Sequence, residues 1–132
     1  MDKHTDLLAK ARESLAGAES ELAAGRYNNA ANRAYYACFQ AAVHSLTLLG
    51  VKPPGTSGRW GHEYVQARFS GDLIGRRKRY PADLQSILEQ GFRLRATADY
   101  DRVSVHEVQT ARAVRRAREF VAAVAEREGN PQ

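Results

Sequence analysis

Six alanines, Ala30, Ala31, Ala34, Ala37, Ala41 and Ala42, fall inside the segment Tyr27–Leu49. Steps of three and four residues put Ala31, Tyr35, Cys38, Ala42 and Leu49 close to one face of a helix, and the other alanines widen it. Small residues on such a face let a neighbouring helix approach closely, so tight helix–helix packing is expected here.

The same period continues along the chain. Leu8, Ala11, Leu15, Ala18 and Leu22 make one apolar stripe of a first helix, expected over Thr5–Ala24. Gly25 and Gly50 suit the left-handed residues that end the first and second helices. Two prolines and two glycines in VKPPGTSG, Val51–Gly58, require a loop. A third segment, Arg59–Ile74, offers Trp60, Tyr64, Val65 and Phe69 as an apolar face that Gly61 and Gly71 weaken. GRRKR, Gly75–Arg79, reads as a basic connector. Pro81 favours the first turn of a fourth helix, with Leu84, Ile87, Gly91, Leu94 and Ala98 on one face and an end near Asp101. Gly91 costs about 1 kcal/mol against Ala inside a helix, and a close crossing would account for it. Ser104 and Glu107 form a capping box for a fifth helix, whose stripe is Val105, Val108, Ala111, Val114, Ala117, Val121 and Val124. No clean alternation and no Asn-Gly hairpin signal a strand. The expected fold is all-α, an antiparallel bundle of about five helices in a single domain over residues 1–132.

The chain carries one cysteine, Cys38, and 43% hydrophobic and 27% charged residues. A disulfide framework and a cysteine-based zinc site are excluded, and Cys38 on the alanine face is expected to be an inert buried thiol. No apolar run is long enough for a signal peptide or a membrane span, so a cytoplasmic protein with no membrane association is expected. A formal net charge of +5 favours acidic partners, of which nucleic acid is the commonest.

No P-loop, no G-x-G-x-x-G, no G-x-S-x-G and no H-E-x-x-H occurs, and His62-Glu63 is half of the last. Asp99 and Asp101 form a D-x-D pair, but two carboxylates at a helix end are usually solvated, so neither a metal nor a cofactor is expected. Asn29, Arg33, Tyr36, Gln40, His44 and Thr47 share a second face of the second helix. That face is polar without Lys or Glu, the flexible charges of ordinary surfaces. Two readings stand side by side: a groove or homodimer seam with satisfied polar groups, and a hydrogen-bonding or stacking surface for a ligand. In RLRATADYDR, Arg93–Arg102, Arg95 and Asp99 are four apart. They read either as an intrahelical ion pair worth well under ~1 kcal/mol or as an arginine held so that its fork meets a phosphate. Arg76, Arg77, Lys78 and Arg79 beside Tyr80 suit single-stranded RNA, against a solvated loop as the plainer reading. Arg112, Arg115 and Glu119 share a face of the fifth helix and suggest a salt-bridged surface.

GRYNNAANRAYYACFQAA, Gly25–Ala42, together with RATADY, Arg95–Tyr100, resembles the HEPN domain superfamily, in its branch with an N-R-x-Y-Y-A-x-F helix and a later R-x-x-A-D-Y helix. The resemblance covers nearly the whole chain. It implies a small helical bundle that dimerises. It also implies either a metal-independent RNase of toxin–antitoxin, CRISPR or other antiviral systems, or a noncatalytic partner of a nucleotidyltransferase or binder of nucleotide or RNA. The catalytic members place a histidine four to six residues beyond an arginine, in an R-x4-6-H motif. Here Arg95 matches the arginine, but the positions where the histidine would stand hold Tyr100, Asp101 and Arg102. Metal-free RNA cleavage needs a proton acceptor for the 2′-OH and a cation for the developing phosphorane, and tyrosine is a poor acceptor near neutral pH.

Three functions are therefore expected, in this order. The first is binding of RNA or a nucleotide in a prokaryotic toxin–antitoxin or defence system, by a homodimer using Asn32, Arg33, Tyr36, Arg95, Asp99 and Tyr100. The second is a noncatalytic module docking a nucleotidyltransferase or a larger defence complex. The third is an RNase using Arg95 with Tyr100, or with a histidine from elsewhere such as His44 or His62.

Overall fold

The computed structural model describes residues 3–100 and 105–128. Among them are five α-helices and no strand: α1 Lys3–Ala23, α2 Tyr27–Leu48, α3 His62–Arg68, α4 Ala82–Tyr100 and α5 Glu107–Glu128. A π-helical stretch, Phe69–Arg76, continues α3 directly.

The alanine-rich α2 packs against all four other helices. Ala30, Ala34, Ala37, Ala41 and Ala42 are buried, as expected of a face that neighbouring backbones approach. Cys38 is 2% exposed, and burial pushes its thiol well above the usual range, so it stays protonated. Gly25 and Gly50 end α1 and α2 as the sequence predicts. Both are left-handed, with φ of 79° and 85°. Arg26 N donates to Glu21 O and Gly25 N to Leu22 O, and Val51 N and Gly50 N repeat the pattern on Leu46 O and Thr47 O. These paired bonds are Schellman closures, which satisfy the last carbonyls of each helix.

The third segment departs from expectation. Its α-helix begins only at His62, and from Phe69 the turns widen to the π form. Gly71 and Gly75 each disfavour a regular α-helix by about 1 kcal/mol. Phe69 and Leu73, four residues apart, are both seated in the core without exposure. Arg68 fastens the junction, its Nε donating to Asp72 Oδ2 at 2.8 Å and its Nη1 to Tyr64 Oη at 2.9 Å. The GRRKR connector therefore starts inside this helix, and Lys78 closes it with φ 51°.

Beyond it, α4 begins at Ala82, with Leu84 N bonded to Pro81 O. Gly91 lies against α2: a Cβ placed on it would meet Tyr35 Cδ1 at 3.6 Å, an ordinary contact distance. Val105, just before α5, and Val114, Ala117, Val121 and Val124 on it are buried, but Val108 is 69% exposed. Six residues separate Val108 from Val114, which at ~100° each turns it ~120° away from the buried face. Thr110 and Phe120 are buried in α5 as well. The Ser104 cap lies outside the described residues. No described helix is long and apolar enough to cross a membrane.

Candidate functional site

The NRxYY and RxxADY segments meet along the seam between α2 and α4. On α2, Asn32 and Tyr36 are one turn apart and face α4; on α4, Arg95 and Asp99 are one turn apart and face α2. The Arg95 side chain is 13% exposed and that of Asp99 26%. Arg95 Nε lies 2.8 Å from Asp99 Oδ2, and Asn32 Nδ2 donates to the same oxygen at 3.1 Å. Arg95 Nη2 donates to Tyr36 Oη at 3.2 Å. The guanidinium carbon lies 5.4 Å from the centre of the Tyr36 ring and 5.6 Å from that of Tyr100, within cation–π range of both.

These contacts form one chain, Asn32–Asp99–Arg95–Tyr36. A mostly buried cation is tolerated because a carboxylate and a hydroxyl share its charge. Its Nε, although 2.8 Å from Asp99 Oδ2, is buried without a hydrogen bond among the described residues, so the guanidinium is held by the ion pair with Asp99 and the Nη2 bond to Tyr36. Tyr100, 73% exposed, presents its ring at the end of α4.

An aromatic cluster backs the arginine. His62, at the start of α3, lies 5.4 Å from Tyr35, 6.3 Å from Tyr36, 5.3 Å from Phe39 and 5.0 Å from Phe92 between ring centres. His62 Nδ1 is 2.7 Å from Tyr35 Oη. Tyr35 has no exposed surface, and burial, aided by Tyr36, pushes its hydroxyl far above the usual range. Burial among the rings, and then the Arg95 charge, hold His62 below the ordinary imidazole range, so it is neutral at neutral pH.

The six-residue polar face of α2 is not one surface. Asn29 donates to Glu21 of α1 at 3.1 Å, and Gln40 pairs with Ser14 of α1 at 2.8 Å. His44 is 3% exposed, inside the bundle, which removes it as a partner for Arg95. α1 lies along this side of α2, meeting it at Asn29, Arg33 and Gln40. Arg33 is exposed and lies across Gly17 of α1, with its Nη1 3.5 Å from where a Cβ on Gly17 would be. It borders a polar hollow of about 410 Å³ that also holds Asn32, Asp99, Asn29 and Glu21. Of the sequence-predicted residues, Asn32, Tyr36, Arg95, Asp99 and Tyr100 thus come together, and Arg33 stands at their edge.

The basic connector is elsewhere. Arg76, Arg77 and Lys78 are exposed, before the start of α4, and Arg95 lies thirteen residues beyond Ala82, ~20 Å along that helix. Tyr80 is no stacking platform for them. It is 5% exposed, stacked on Phe69 at 5.4 Å, with its hydroxyl 2.8 Å from Ser45 Oγ. Arg79 gives its carbonyl to Arg127 Nη2 at 3.1 Å. On α5, Arg118 reaches across to Glu19 of α1, its Nε 2.8 Å from Oε2.

Asp99 of the D-x-D pair is committed to Arg95 and Asn32, and Asp101 lies outside the described residues. No three His, Cys, Asp or Glu side chains among the described residues converge as a metal site. Phe39 closes the N-R-x-Y-Y-A-x-F motif, but spacing assigns it no site role, and none to Phe92, three residues before Arg95. His62, one of the two histidines offered from the sequence as a partner for Arg95, lies in this cluster, and the other, His44, does not.

A family model described as the HEPN domain matches residues 4–128. No curated protein matches the chain. The chain belongs to the HEPN domain family.

Proposed function

We propose that this HEPN chain binds a phosphate of RNA or of a nucleotide at the seam between α2 and α4, in a prokaryotic toxin–antitoxin or antiviral defence system, as a homodimer. Arg95 contacts the phosphate. Asp99 and Asn32 hold the arginine, Tyr36 fixes its far edge, and the exposed Tyr100 ring stacks on a base. Arg33 adds charge at the rim. The observation that carries this reading is the Arg95 fork, mostly buried and held in place by the Asp99 ion pair and the Tyr36 hydrogen bond. A fork already held in place loses less freedom on meeting an anion than a free surface arginine does. The system and the dimer rest on the family alone. A partner such as a nucleotidyltransferase or a larger defence complex would meet this chain in the same setting.

A second reading, metal-independent RNA cleavage, is favoured by one observation: a neutral histidine, His62, lies in the cluster behind Tyr36 and Arg95. Were Tyr35 Oη to accept the Nδ1 proton, Nε2 would be the basic nitrogen, in the role the missing R-x4-6-H histidine would play.

One experiment separates the readings. Labelled RNA is incubated without metal with the wild type, Arg95→Ala and His62→Gln, and scored for cleavage and for gel shift at two salt concentrations. The binding reading expects a salt-sensitive shift, lost in Arg95→Ala, with no cleavage. Cleavage lost in both variants supports the RNase. Neither cleavage nor shift removes both readings and leaves a docking module for a protein partner.

A further inference from the structure

A second concavity lies on another side of α4. α4 and α5 both pack on α2, and they leave a slot of about 170 Å³ between them. Its floor is Ala31, Ala34 and Tyr35 of α2, and its walls carry Gly91 and Leu94 of α4 and Ala113 of α5. The slot exists because Gly91 and Ala113 put almost no side chain where the two helices face each other. It is smaller than the ~300–1,000 Å³ of pockets that take drug-sized ligands.

The mouth differs in chemistry from the floor. Arg112 and Arg116 stand one turn apart on α5, and no carboxylate lines the slot. Arg112 is exposed. Arg116 Nη1 donates to Gln90 Oε1 of α4, a neutral partner, and the carboxylates of Asp83 and Glu119 line the adjoining hollow and not the slot. An apolar cleft of this size with two cations at its edge matches a small amphiphile: an apolar body against the half-buried Ile87, Leu94 and Ala113, and one anionic group at the guanidinium forks.

We infer that this slot binds a small monocarboxylate with an aromatic or branched apolar body. The site is separate from the Arg95 seam, and its standing is independent of RNA binding. Gly91 is the gate for size, and Arg112 and Arg116 select for charge.

The test uses indole-3-acetate and its uncharged counterpart 3-methylindole, titrated into the full chain and followed by NMR shifts of Leu94 and Ala113. Expected are saturable shifts with the acid and at least tenfold weaker binding of 3-methylindole. In Arg112→Gln/Arg116→Gln the acid should weaken to the level of 3-methylindole. Both changes lie at the surface, so the fold is retained. In Gly91→Leu, checked for helicity by circular dichroism, neither probe should bind. Equal binding of the two probes, no saturable shift, or an unaltered affinity in the double variant overturns the inference. So does self-association of the wild type that Gly91→Leu abolishes while the acid fails to bind, because the slot then belongs to a second copy of the chain.

Discussion

Two groups of cations invite the same ligand and are built in opposite ways. Arg95 is a single charge, mostly buried, fixed by Asp99, Asn32 and Tyr36 and flanked by an exposed ring. Arg76, Arg77 and Lys78 are three charges on an open connector, and the aromatic residue beside them is turned into the core. The connector carries the greater charge density in the sequence. The seam carries the greater preorganisation in the fold. Charge alone attracts any polyanion, and weakly at physiological salt; a held fork recognises one phosphate in one orientation.

The contrast is exposed to test first through Tyr80. If Tyr80 is core, Tyr80→Ala should cost about 3–5 kcal/mol in denaturant unfolding, as for other large aromatic truncations. A negligible cost would return Tyr80 to the connector and restore that stretch as a stacking platform. Next is Asp99→Ala, which leaves the Arg95 charge short of its carboxylate. A stability loss of about 1–3 kcal/mol is expected. RNA or nucleotide affinity should fall at least tenfold alongside it, about 1.4 kcal/mol. An unchanged affinity would mean that Arg95 does not need to be held.

The connector should behave differently. Replacing Arg76, Arg77 and Lys78 together by Ala should weaken RNA binding only a few-fold at low salt. The slope of log affinity against log salt should fall by up to about 2. A loss confined to one RNA sequence would show instead that the connector reads bases.

The smallest effect concerns His62. Its imidazole is held below its ordinary value of 6.5, chiefly by burial, so the unfolded chain takes up a proton more readily than the folded one. Its contribution to stability is therefore complete above about pH 6.5 and is lost as the pH falls towards and through the lowered folded value. Thermal unfolding of the wild type should show a decline in Tm over that window. His62→Phe should flatten it. An equal slope in both proteins would assign the decline to other groups.

Spacing made α1, α2 and most of α4 and α5 legible, because each buries a continuous stripe and the glycines at 25 and 50 mark real helix ends. Periodicity describes a helix from its own axis. It says which residues share a face and not which neighbour covers that face. Spacing therefore puts His44 and Gln40 on one face with Tyr36 and leaves two readings of it open; Asn29 and Gln40 bond to α1 and His44 is buried, as the packed groove has it, while Tyr36 turns to Arg95. Val108 was grouped with Val114 as another member of a valine series, although the turn angle sends it outward. The widening after Phe69 is signalled in the sequence only by Gly71 and Gly75. At the site, Asn32, Tyr36, Arg95 and Asp99 were legible as two separate motifs, and their meeting was implied by family resemblance. His62 is named from the sequence only as one of two histidines that could serve Arg95, and spacing does not choose it over His44, since it reaches the cluster from a different helix across a loop.

Tyr35 has a further consequence. One side of this residue forms part of the floor of the slot between α4 and α5, and its hydroxyl lies against His62 on the Arg95 side. Tyr35 thus lies between the slot and the imidazole behind Arg95, and a displacement of its ring would couple the two places. If an occupant of the slot shifts the ring, and with it the imidazole, the affinity at Arg95 changes by some factor. Phosphate at Arg95 must then change the slot's affinity by that same factor, so either ligand can report on the other.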